Sequence, residues 1–237
     1  MLKIENFEVM GWEHAIRGMR NPMNSWERSD SAYGCYPVDP HTFQRCDKCD
    51  VTDEYFCKGR HEFNIGPIDQ NLMKNLRDAG TDHRKFMRMI TVYLDITAPL
   101  YWWKEFDTYK VGTVANSCST MHKIAEKEFT MDDFSCEQLL PTARKSLKTT
   151  IDILNEYREH YNVHTDPFVR KIYWWQMIQL LPSSYNQKRT VMLNYEVLAN
   201  IYKSRKDHKL DEWRTLCHWI EELPYSELIT GLEEKDQ

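Results

Sequence analysis

The sequence lacks any long uninterrupted run of apolar residues. Its longest apolar stretches fall well short of the roughly 20 residues that a membrane-spanning helix needs. The N-terminal segment, residues 1–6, carries an acidic residue early and lacks the apolar centre of a secretory signal. These absences predict a soluble protein of the cytoplasm that has no membrane partner.

Positive charge is also in short supply. The 31 lysines and arginines are outnumbered by 36 acidic residues, which gives a formal net charge of −5 at pH 7. Nucleic-acid binding draws on a broad basic face that displaces counterions. The charge balance therefore argues against a nucleic-acid partner, although a small basic pocket can still hold one phosphate.

The sequence does have enough apolar material for a sizeable core. Hydrophobic residues make up 41% and aromatic residues 13% of the 237 residues. This length and composition predict one large domain over residues 1–237. We find no internal repeat and no low-complexity tract.

Four of the seven cysteines fall in a segment of little periodicity, residues 33–63, which we interpret as an insertion on the surface of the main fold. They are Cys35, Cys46, Cys49 and Cys57, with His41 and His61 nearby. The Cys46-x2-Cys49 spacing is a usual half-site for structural zinc, and four thiolates complete a tetrahedron. Reduced surface thiols and a redox-active cluster are the alternatives.

Hydrophobic periodicity predicts an α+β fold in which helices pack on a modest sheet. Alternating apolar residues predict a strand at residues 4–9 and a clearer one at residues 90–96, which Pro99 ends. A turn or short helix is predicted at 12–20, helices are predicted from Pro67 to Gly80 and after Pro99, and the second half is predicted to be helical. The predicted stripes there are Leu147, Ile151, Leu154 and Tyr157; Ile172, Trp175, Gln176 and Gln179; Val197, Leu198, Ile201 and Tyr202; and Leu210, Trp213, Leu216, Ile220 and Leu223.

The polar run Arg17–Ser25 has two interpretations. It contains two arginines, two asparagines and a serine beside Gly18 and Pro22. One interpretation is an ordered structural turn whose polar groups bond to each other. The other is a contact for a phosphate or for the edge of a ring.

Two blocks of sequence together resemble the flavin-dependent thymidylate synthases, which are also called thymidylate synthase complementing proteins. Residues 96–113 read ITAPLYWWKEFDTYKVGT and residues 116–122 read NSCSTMH. They are similar to that family's strand ending in Ala-Pro, its Arg-His-Arg-x-x-Ser motif and its Asn-Glu-x-Ser-x-Arg-Tyr motif. Residues 181–198 and 203–205 resemble its Leu-Pro, Tyr-Thr, Asn-x-Arg-x-Leu and Leu-Arg sequence. The resemblance covers most of residues 64–220, and weakly 1–30.

The resemblance implies a fold, a cofactor and a reaction. It implies helices packed on a small sheet, a homotetramer with FAD and nucleotide bound between subunits, and reductive methylation of dUMP. The carbon donor would be methylenetetrahydrofolate and the reductant NADPH. The alternatives are a catalytically inactive protein of the same fold that binds or sequesters a nucleotide, and an interaction protein whose cysteine segment docks a partner.

The cofactor signature is altered at several positions. By position, the family's Arg-His-Arg-x-x-Ser becomes Thr108-Tyr109-Lys110-Val-Gly-Thr113. Lysine keeps the charge of the second arginine but loses its planar fork. Asn116 matches the family's asparagine, and Arg88 lies near the position of a flavin-contacting histidine. The resemblance thus assigns cofactor binding to Arg88, Thr108, Tyr109, Lys110, Thr113 and Asn116.

Among the nucleotide-binding positions, Arg205 is better preserved and Ser119 matches the family's serine, whereas Ser117 replaces its glutamate. The resemblance assigns substrate binding to Ser117, Ser119, Lys188, Arg189 and Arg205, and gives Arg205 a further role in polarising the pyrimidine. Arg205 also belongs to a basic cluster with Lys203, Lys206 and Lys209, which is either a phosphate pocket or a solvated helix end favoured by the helix dipole.

Three aromatic features have both a structural and a functional interpretation. His122 ends a motif-like stretch and is a candidate acid–base group, although a lone histidine is more often structural. The pairs Trp102–Trp103 and Trp174–Trp175 are interpreted as core residues, with stacking on a flavin or a base as the alternative.

Overall fold

The computed structural model describes residues 2–35 and 61–231. The strands are β1 (Lys3–Met10), β2 (Ala32–Cys35), β3 (His61–Asn64), β4 (Thr91–Pro99), β5 (Val114–Ser117) and β6 (Asn186–Asn194). The helices are α1 (Trp12–Arg20), α2 (Pro67–Asp78), α3 (Leu100–Phe106), α4 (Thr120–Lys123), α5 (Pro141–Val163), α6 (Pro167–Leu180), α7 (Tyr195–Arg205), α8 (Asp211–Glu221) and α9 (Glu227–Thr230). Helices packed on a small antiparallel sheet confirm the predicted α+β architecture.

The main sheet has the strand order β1-β4-β6-β5 and is antiparallel throughout. In β4 the alternation was predicted correctly, because Val92, Leu94 and Ile96 are buried and the residues between them face the other side. The prediction was wrong for β6, which lies in the half predicted to be helical. This strand pairs along its full length with β4, so a central strand of the sheet is contributed by the second half of the chain.

Helices α7 and α8 supply much of the main hydrophobic core. All four residues of the predicted α7 stripe are buried, as are Trp213, Leu216 and Ile220 of α8. The Trp102–Trp103 pair of α3 packs in the same core at 0% and 1% exposure, which confirms its structural interpretation. The sheet is thus covered on one face by α3, α7 and their neighbours.

Helix α2 begins and ends near the predicted residues, but its buried face differs from the prediction. Asp69 and Met73 are buried, whereas Ile68, the first residue of the predicted stripe, is 58% exposed. Leu72 and Leu76 pack against the core in part. The face is rotated because Asp69 has a buried arginine partner, Arg20, which periodicity of apolar residues cannot reveal.

Helices α5 and α6 form a second, smaller core around Leu147, Ile151, Leu154 and Met177. The α5 stripe was predicted correctly, because Leu147, Ile151 and Leu154 are buried and half-buried Tyr157 packs against the same core. The α6 stripe was wrong, because Ile172 and Trp175 are exposed while Met177 is buried. The core interpretation of the pair Trp174–Trp175 therefore fails for Trp175.

Strands β2 and β3, which form an antiparallel pair, lie at the two ends of the predicted insertion, and we call this pair the hairpin. Its register pairs Ala32 with Asn64 and Cys35 with His61. Cys46, Cys49 and Cys57 lie outside the described residues, and so does the side chain of Cys35. The zinc site therefore stays a prediction. Among residues 2–35 and 61–231, no group of three or more His, Cys, Asp or Glu side chains is placed to hold a metal ion.

None of the helices in the described part of the chain is both long and apolar enough to cross a bilayer.

Candidate functional site

Residues 108–113 run alongside helix α7, from its C-terminal end toward its N-terminal end. At the C-terminal end of the helix, Tyr109 accepts a hydrogen bond from Arg205 Nε at 2.9 Å. At the N-terminal end, a Cβ on Gly112 would come within 2.7 Å of Asn194 Nδ2, and Gly112 has a positive φ of 78°. Only glycine fits there. We call residues 108–113 with Asn194, Glu196 and Arg205 the α7 strip. It spans about 16 Å, since α7 rises 1.5 Å per residue.

Arg205 is held in place by three neighbours. Its Nη1 donates to Glu105 Oε2 at 2.8 Å, and its guanidinium carbon lies 4.6 Å from the ring centroid of Trp213. Glu105 Oε2 also accepts from the indole N–H of Trp213 at 2.8 Å. Since Nε of Arg205 donates to Tyr109 and Nη1 donates to Glu105, Nη2 has no partner among the described residues. A planar ligand edge can therefore accept from Arg205 without breaking these contacts.

The other three cations of the predicted basic cluster differ from Arg205. Lys203, Lys206 and Lys209 are exposed near the end of α7. They fit the interpretation as a solvated helix end favoured by the dipole, whereas Arg205 fits a binding role.

Some polar side chains of residues 108–113 already have a hydrogen-bond partner within the chain, and others have none among the described residues. Thr108 donates its hydroxyl to the carbonyl of Glu105 at 2.7 Å, which satisfies an end of α3. Thr113 has a buried hydroxyl without a partner among the described residues, and Lys110 is exposed. Lys110 and Thr113 therefore keep polar groups that no described residue engages, whereas the Thr108 hydroxyl is used within the chain.

Arg88 lies at the N-terminal end of α7. It donates to both carboxylate oxygens of Glu196, and Arg84 Nε lies 3.5 Å from the same group. Burial opposes ionisation of Glu196, but the hydrogen bonds and charges of the two arginines outweigh it and lower the pKa of Glu196. The negative charge of Glu196 is thus balanced by Arg88 and Arg84.

Lys188 and Arg189 point to opposite faces of β6. Arg189 faces the core side, donates to Asp107 at 2.8 Å, and lies 4.2 Å from the ring centroid of Trp103. It pairs in register with Ser117. Because Asp107 directly follows α3, Arg189 and Ser117 lie on the same side of the sheet as the α7 strip.

Lys188 lies on the outer face of the sheet, 3.1 Å from Asp95 Oδ2. Asp95 also accepts hydrogen bonds from Thr190 and Asn6. Hydrogen bonds from Thr190, Asn6 and Lys188 lower the pKa of Asp95 to about 2. Asn116 pairs in register with Thr190, so it belongs to this outer face.

Ser119 and His122 lie at helix α4, apart from both the α7 strip and the outer face of the sheet. Ser119 caps α4 by accepting from the backbone N–H of His122 at 3.1 Å. The His122 side chain lines a cleft of about 510 Å³ between α4 and α6. The other lining residues are Met121, Tyr161, Thr165, Pro167, Arg170, Lys171 and Trp174. We call this the His122 cleft.

The His122 cleft contains two cations that sequence reasoning missed. Arg170 lies 4.3 Å from the ring centroid of Tyr161, and Lys171 Nζ lies 3.7 Å from that of Trp174. No acidic side chain lines the cleft. The signal in the sequence for this cleft was the adjacent pair Arg170 and Lys171 among the aromatic residues of α6. The cleft suits an anion that carries an apolar or planar body.

Two crystal structures with the same overall fold were found among solved structures. The fold is that of thymidylate synthase X. One structure, thymidylate synthase X from Helicobacter pylori with FAD and dUMP, matches with a TM-score of 0.61, 14% identity, and coverage of 97% of each chain. Another, the flavin-dependent enzyme from the same organism complexed with FAD and dUMP, matches with a TM-score of 0.58, 14% identity, and coverage of 97% of this chain and 96% of that chain.

The sequence comparisons gave no matches. No family model matches the sequence, and no curated protein matches it. The likeness at 14% identity therefore establishes the fold, and the roles of individual residues rest on the geometry described above.

Proposed function

We propose that this protein transfers a one-carbon unit to a pyrimidine nucleotide in an FAD-dependent reaction, as in the conversion of dUMP to dTMP or a variant of it. The observation that carries the proposal is the shared fold, which covers 97% of this chain and of an enzyme crystallised with FAD and dUMP. The α7 strip supports it, because Arg205 presents an unengaged Nη2 group beside residues suited to a phosphate.

In this proposal, Arg205 binds and polarises the pyrimidine. Glu105 and Tyr109 hold the guanidinium in one orientation, and Trp213 forms a flat wall behind it. Arg189 and Ser117 lie on the same side of the sheet and contribute to nucleotide binding. An arginine fixed before the ligand arrives loses less conformational freedom on binding.

Lys110, Thr113 and Arg88 would hold the cofactor. When bound, FAD supplies the hydride chemistry that no side chain provides. Methylenetetrahydrofolate as carbon donor and NADPH as reductant complete the proposed reaction. This chain's own part is to orient the nucleotide and to place cationic and hydroxyl groups along α7.

A homotetramer in the cytoplasm is part of the proposal. The outer face of the sheet exposes Met10, Tyr93 and Val114 beside Lys188 and Asn116. Apolar groups of this kind favour contact with another subunit. In the proposed tetramer, Lys188 and Asn116 contact a ligand bound to the neighbouring subunit.

The proposal assigns His122 to acid–base chemistry across a subunit boundary. Arg205→Ala and His122→Ala chains are expected to be inactive alone and to regain part of the activity when mixed and reassembled. Mixing Arg205→Ala with Lys148→Ala, which is altered only on the exposed side of α5, is the control. Activity restored equally in both mixtures would rule out a role for His122.

The decisive experiment is the visible spectrum of purified protein before and after incubation with FAD, followed by turnover of dUMP. Flavin absorption and formation of dTMP that depends on methylenetetrahydrofolate and NADPH are expected. Lys110→Ala should weaken flavin binding, whereas Lys104→Ala, on the exposed side of α3, should not. A colourless protein that takes up no FAD would overturn the proposal.

A second candidate is a protein of this fold that binds or sequesters a nucleotide without catalysis. Two observations favour it: the pairing of Arg88 with Glu196 and the use of the Thr108 hydroxyl within the chain, which leave neither group free for a flavin phosphate. This candidate predicts that dUMP raises the melting temperature while no flavin binds. Loss of that stabilisation in Arg205→Ala would locate the nucleotide on the α7 strip.

A further inference from the structure

Three aromatic rings meet where helix α5 turns into helix α6. His160 lies in the last turn of α5, His164 is the first residue beyond that helix, and Tyr173 lies on α6. We call His160 and His164 the histidine pair. Their ring centroids are 6.2 Å apart and lie 4.8 Å and 5.5 Å from the ring centroid of Tyr173. None of the three residues belongs to the α7 strip or lines the His122 cleft, so the proposed function does not use them.

Tyr173 holds both imidazoles in nearly the same orientation. Its ring plane is inclined by 14° to that of His160 and by 7° to that of His164. The planes of the two imidazoles differ by 20°. Stacking of this kind favours one orientation of each ring over the others. Groups that are oriented before a ligand arrives lose less conformational freedom when it binds.

The nitrogens of the histidine pair are available to a ligand. No hydrogen bond or ion pair joins a ring nitrogen of His160 or His164 to another residue within the ranges 2–35 and 61–231. His164 is exposed and His160 is half-buried. A neutral imidazole has one nitrogen that accepts. The pair therefore presents two nitrogen ligands that solvent can reach.

The separation of the two rings suits a shared metal ion. Zinc lies about 2.0–2.1 Å from a histidine nitrogen, so two imidazoles on one ion have their centroids roughly 5–6 Å apart. A small rotation of either side chain brings the observed 6.2 Å into that range. Spacing of four residues is also the spacing of the two histidine ligands in zinc-binding helices. Because His164 already has extended backbone, with φ −78° and ψ 139°, an ion would tie the end of α5 to the following connection.

The charges at this end of α5 favour a cation. The last carbonyl groups of a helix carry partial negative charge, and His160 is the basic residue in the last turn of α5. Glu156 lies one turn before His160 on the same side of the helix. Arg158, two residues before His160, projects from the opposite side. A cation at the histidine pair would therefore be attracted by the helix end and by Glu156.

We propose that the histidine pair binds a divalent transition-metal ion, of the class of Zn²⁺ or Ni²⁺, at the turn between α5 and α6. Imidazole suits these ions, whereas Mg²⁺ and Ca²⁺ take oxygen ligands. Two side chains bind the ion, water completes its coordination, and the ion stabilises the turn. The site is separate from the zinc site predicted at Cys46 and Cys49. It is also independent of the proposed function, because neither FAD nor the nucleotide takes part in it.

Isothermal titration calorimetry of the full chain with Ni²⁺ tests this inference. The unaltered chain is expected to bind one ion more per chain than His160→Ala/His164→Ala does. Counting by difference separates the histidine pair from any ion held by the cysteines of residues 33–63. Ni²⁺ should also raise the melting temperature more in the unaltered chain, because the folded chain holds the two histidines together. Equal numbers of bound ions in the two chains would overturn the inference.

A pH series gives a second readout of the same ligands. Metal ions bind neutral imidazole and compete with protons for it. Binding of the ion that the double variant lacks should therefore weaken steadily as pH falls from 7.5 to 5.5. An affinity that stays constant over this range would mean that histidine is not the ligand.

Two variants of Tyr173 test whether its ring positions the ligands. Tyr173→Ala should bind Ni²⁺ roughly tenfold more weakly, the size of effect seen when a group that orients a metal ligand is removed. Tyr173→Phe keeps the stacked ring and should bind as the unaltered chain does. Equal affinity in the two variants would overturn the positioning role of Tyr173.

Matched controls keep the result interpretable. His14→Ala/His218→Ala removes two histidines elsewhere and should keep the ion that His160→Ala/His164→Ala loses. If the latter melts early without metal, His164→Asn changes one exposed residue and should still weaken Ni²⁺ binding. FAD uptake and dUMP turnover should be the same in the unaltered chain and in the His164→Asn chain. A protein that binds Ni²⁺ at the pair but takes up no FAD would therefore overturn the proposed function and leave this inference standing.

Discussion

The two ends of helix α7 each carry an arginine paired with a carboxylate, but their surroundings differ. At the N-terminal end, Arg88 meets Glu196 with its side chain 56% exposed. At the C-terminal end, Arg205 meets Glu105 with 18% exposure and lies against Trp213. The acid at the start and the base at the end both suit the helix dipole. Burial, rather than charge, therefore distinguishes the two ends.

Removing Trp213, the aromatic wall beside Arg205, should have the largest effect on the difference between the two ends of α7. Trp213 is fully buried and packs against Trp102 and Phe106. Trp213→Ala is expected to lower the free energy of unfolding by about 3–5 kcal/mol, because it deletes a large core side chain. Urea unfolding followed by circular dichroism measures this. Trp175→Ala, on the exposed face of α6, is the matched control and should cost far less. Equal losses would mean that the Arg205 end is no better packed than the surface.

Removing the shared acceptor should have an intermediate effect. Glu105→Ala leaves the indole N–H of buried Trp213 without its acceptor and Arg205 without its carboxylate. The expected loss is about 1–3 kcal/mol in free energy of unfolding, the cost of an unsatisfied buried donor. Glu105→Gln keeps an acceptor for Trp213 and should recover part of that loss. If glutamine does no better than alanine, the charge on Glu105 matters more than its hydrogen bonds.

The N-terminal pair should contribute less. Arg88→Ala is expected to change the free energy of unfolding by less than about 1 kcal/mol, because an ion pair with an exposed partner is solvated in both states. Arg84 also remains beside Glu196 to offset part of its charge. Arg88→Lys serves as the charge-preserving control. A loss as large as that of Glu105→Ala would contradict the contrast between the two ends.

The smallest expected effect is a pH dependence at the N-terminal end. Because the folded state lowers the pKa of Glu196, its stabilising contribution is present above the pKa of the unfolded chain. That contribution is lost as pH falls through the lower folded value. Urea unfolding between pH 6 and acid should therefore show a shallower loss in Glu196→Gln than in the unaltered chain. Parallel curves would mean that Glu196 titrates alike in both states.

The elements predicted correctly are those whose apolar pattern is visible within a short stretch of sequence. Strand β4 alternates without interruption, and every apolar residue of the α7 stripe faces the core. Strand β6 was missed because it carries Lys188 and Arg189, whose carboxylate partners, among them Asp95 and Asp107, are far away in sequence. The buried face of α2 was missed for the same reason, since Arg20 and Asp69 are buried only as a pair.

The candidate site was predicted in part. The resemblance assigned Tyr109 to cofactor binding and Arg205 to nucleotide binding, and the structure joins the two side chains by a hydrogen bond. It did not show that Lys188 and Arg189 face opposite sides of β6, because register depends on pairing with β4. Arg170 and Lys171 were missed since the His122 cleft forms only when α4 meets α6. The roles of all these residues in binding stay predictions.

The hairpin of β2 and β3 has a practical consequence for protein engineering. Because Cys35 and His61 are paired across the two strands, the chain leaves and returns to the fold at nearly one point, with paired Cα atoms about 5 Å apart. A short turn can therefore join these strands directly, and a reporter domain whose own termini are close together can take the place of residues 36–60. The main sheet and α7 contribute no residue to this junction, which makes it a natural position for attaching a label.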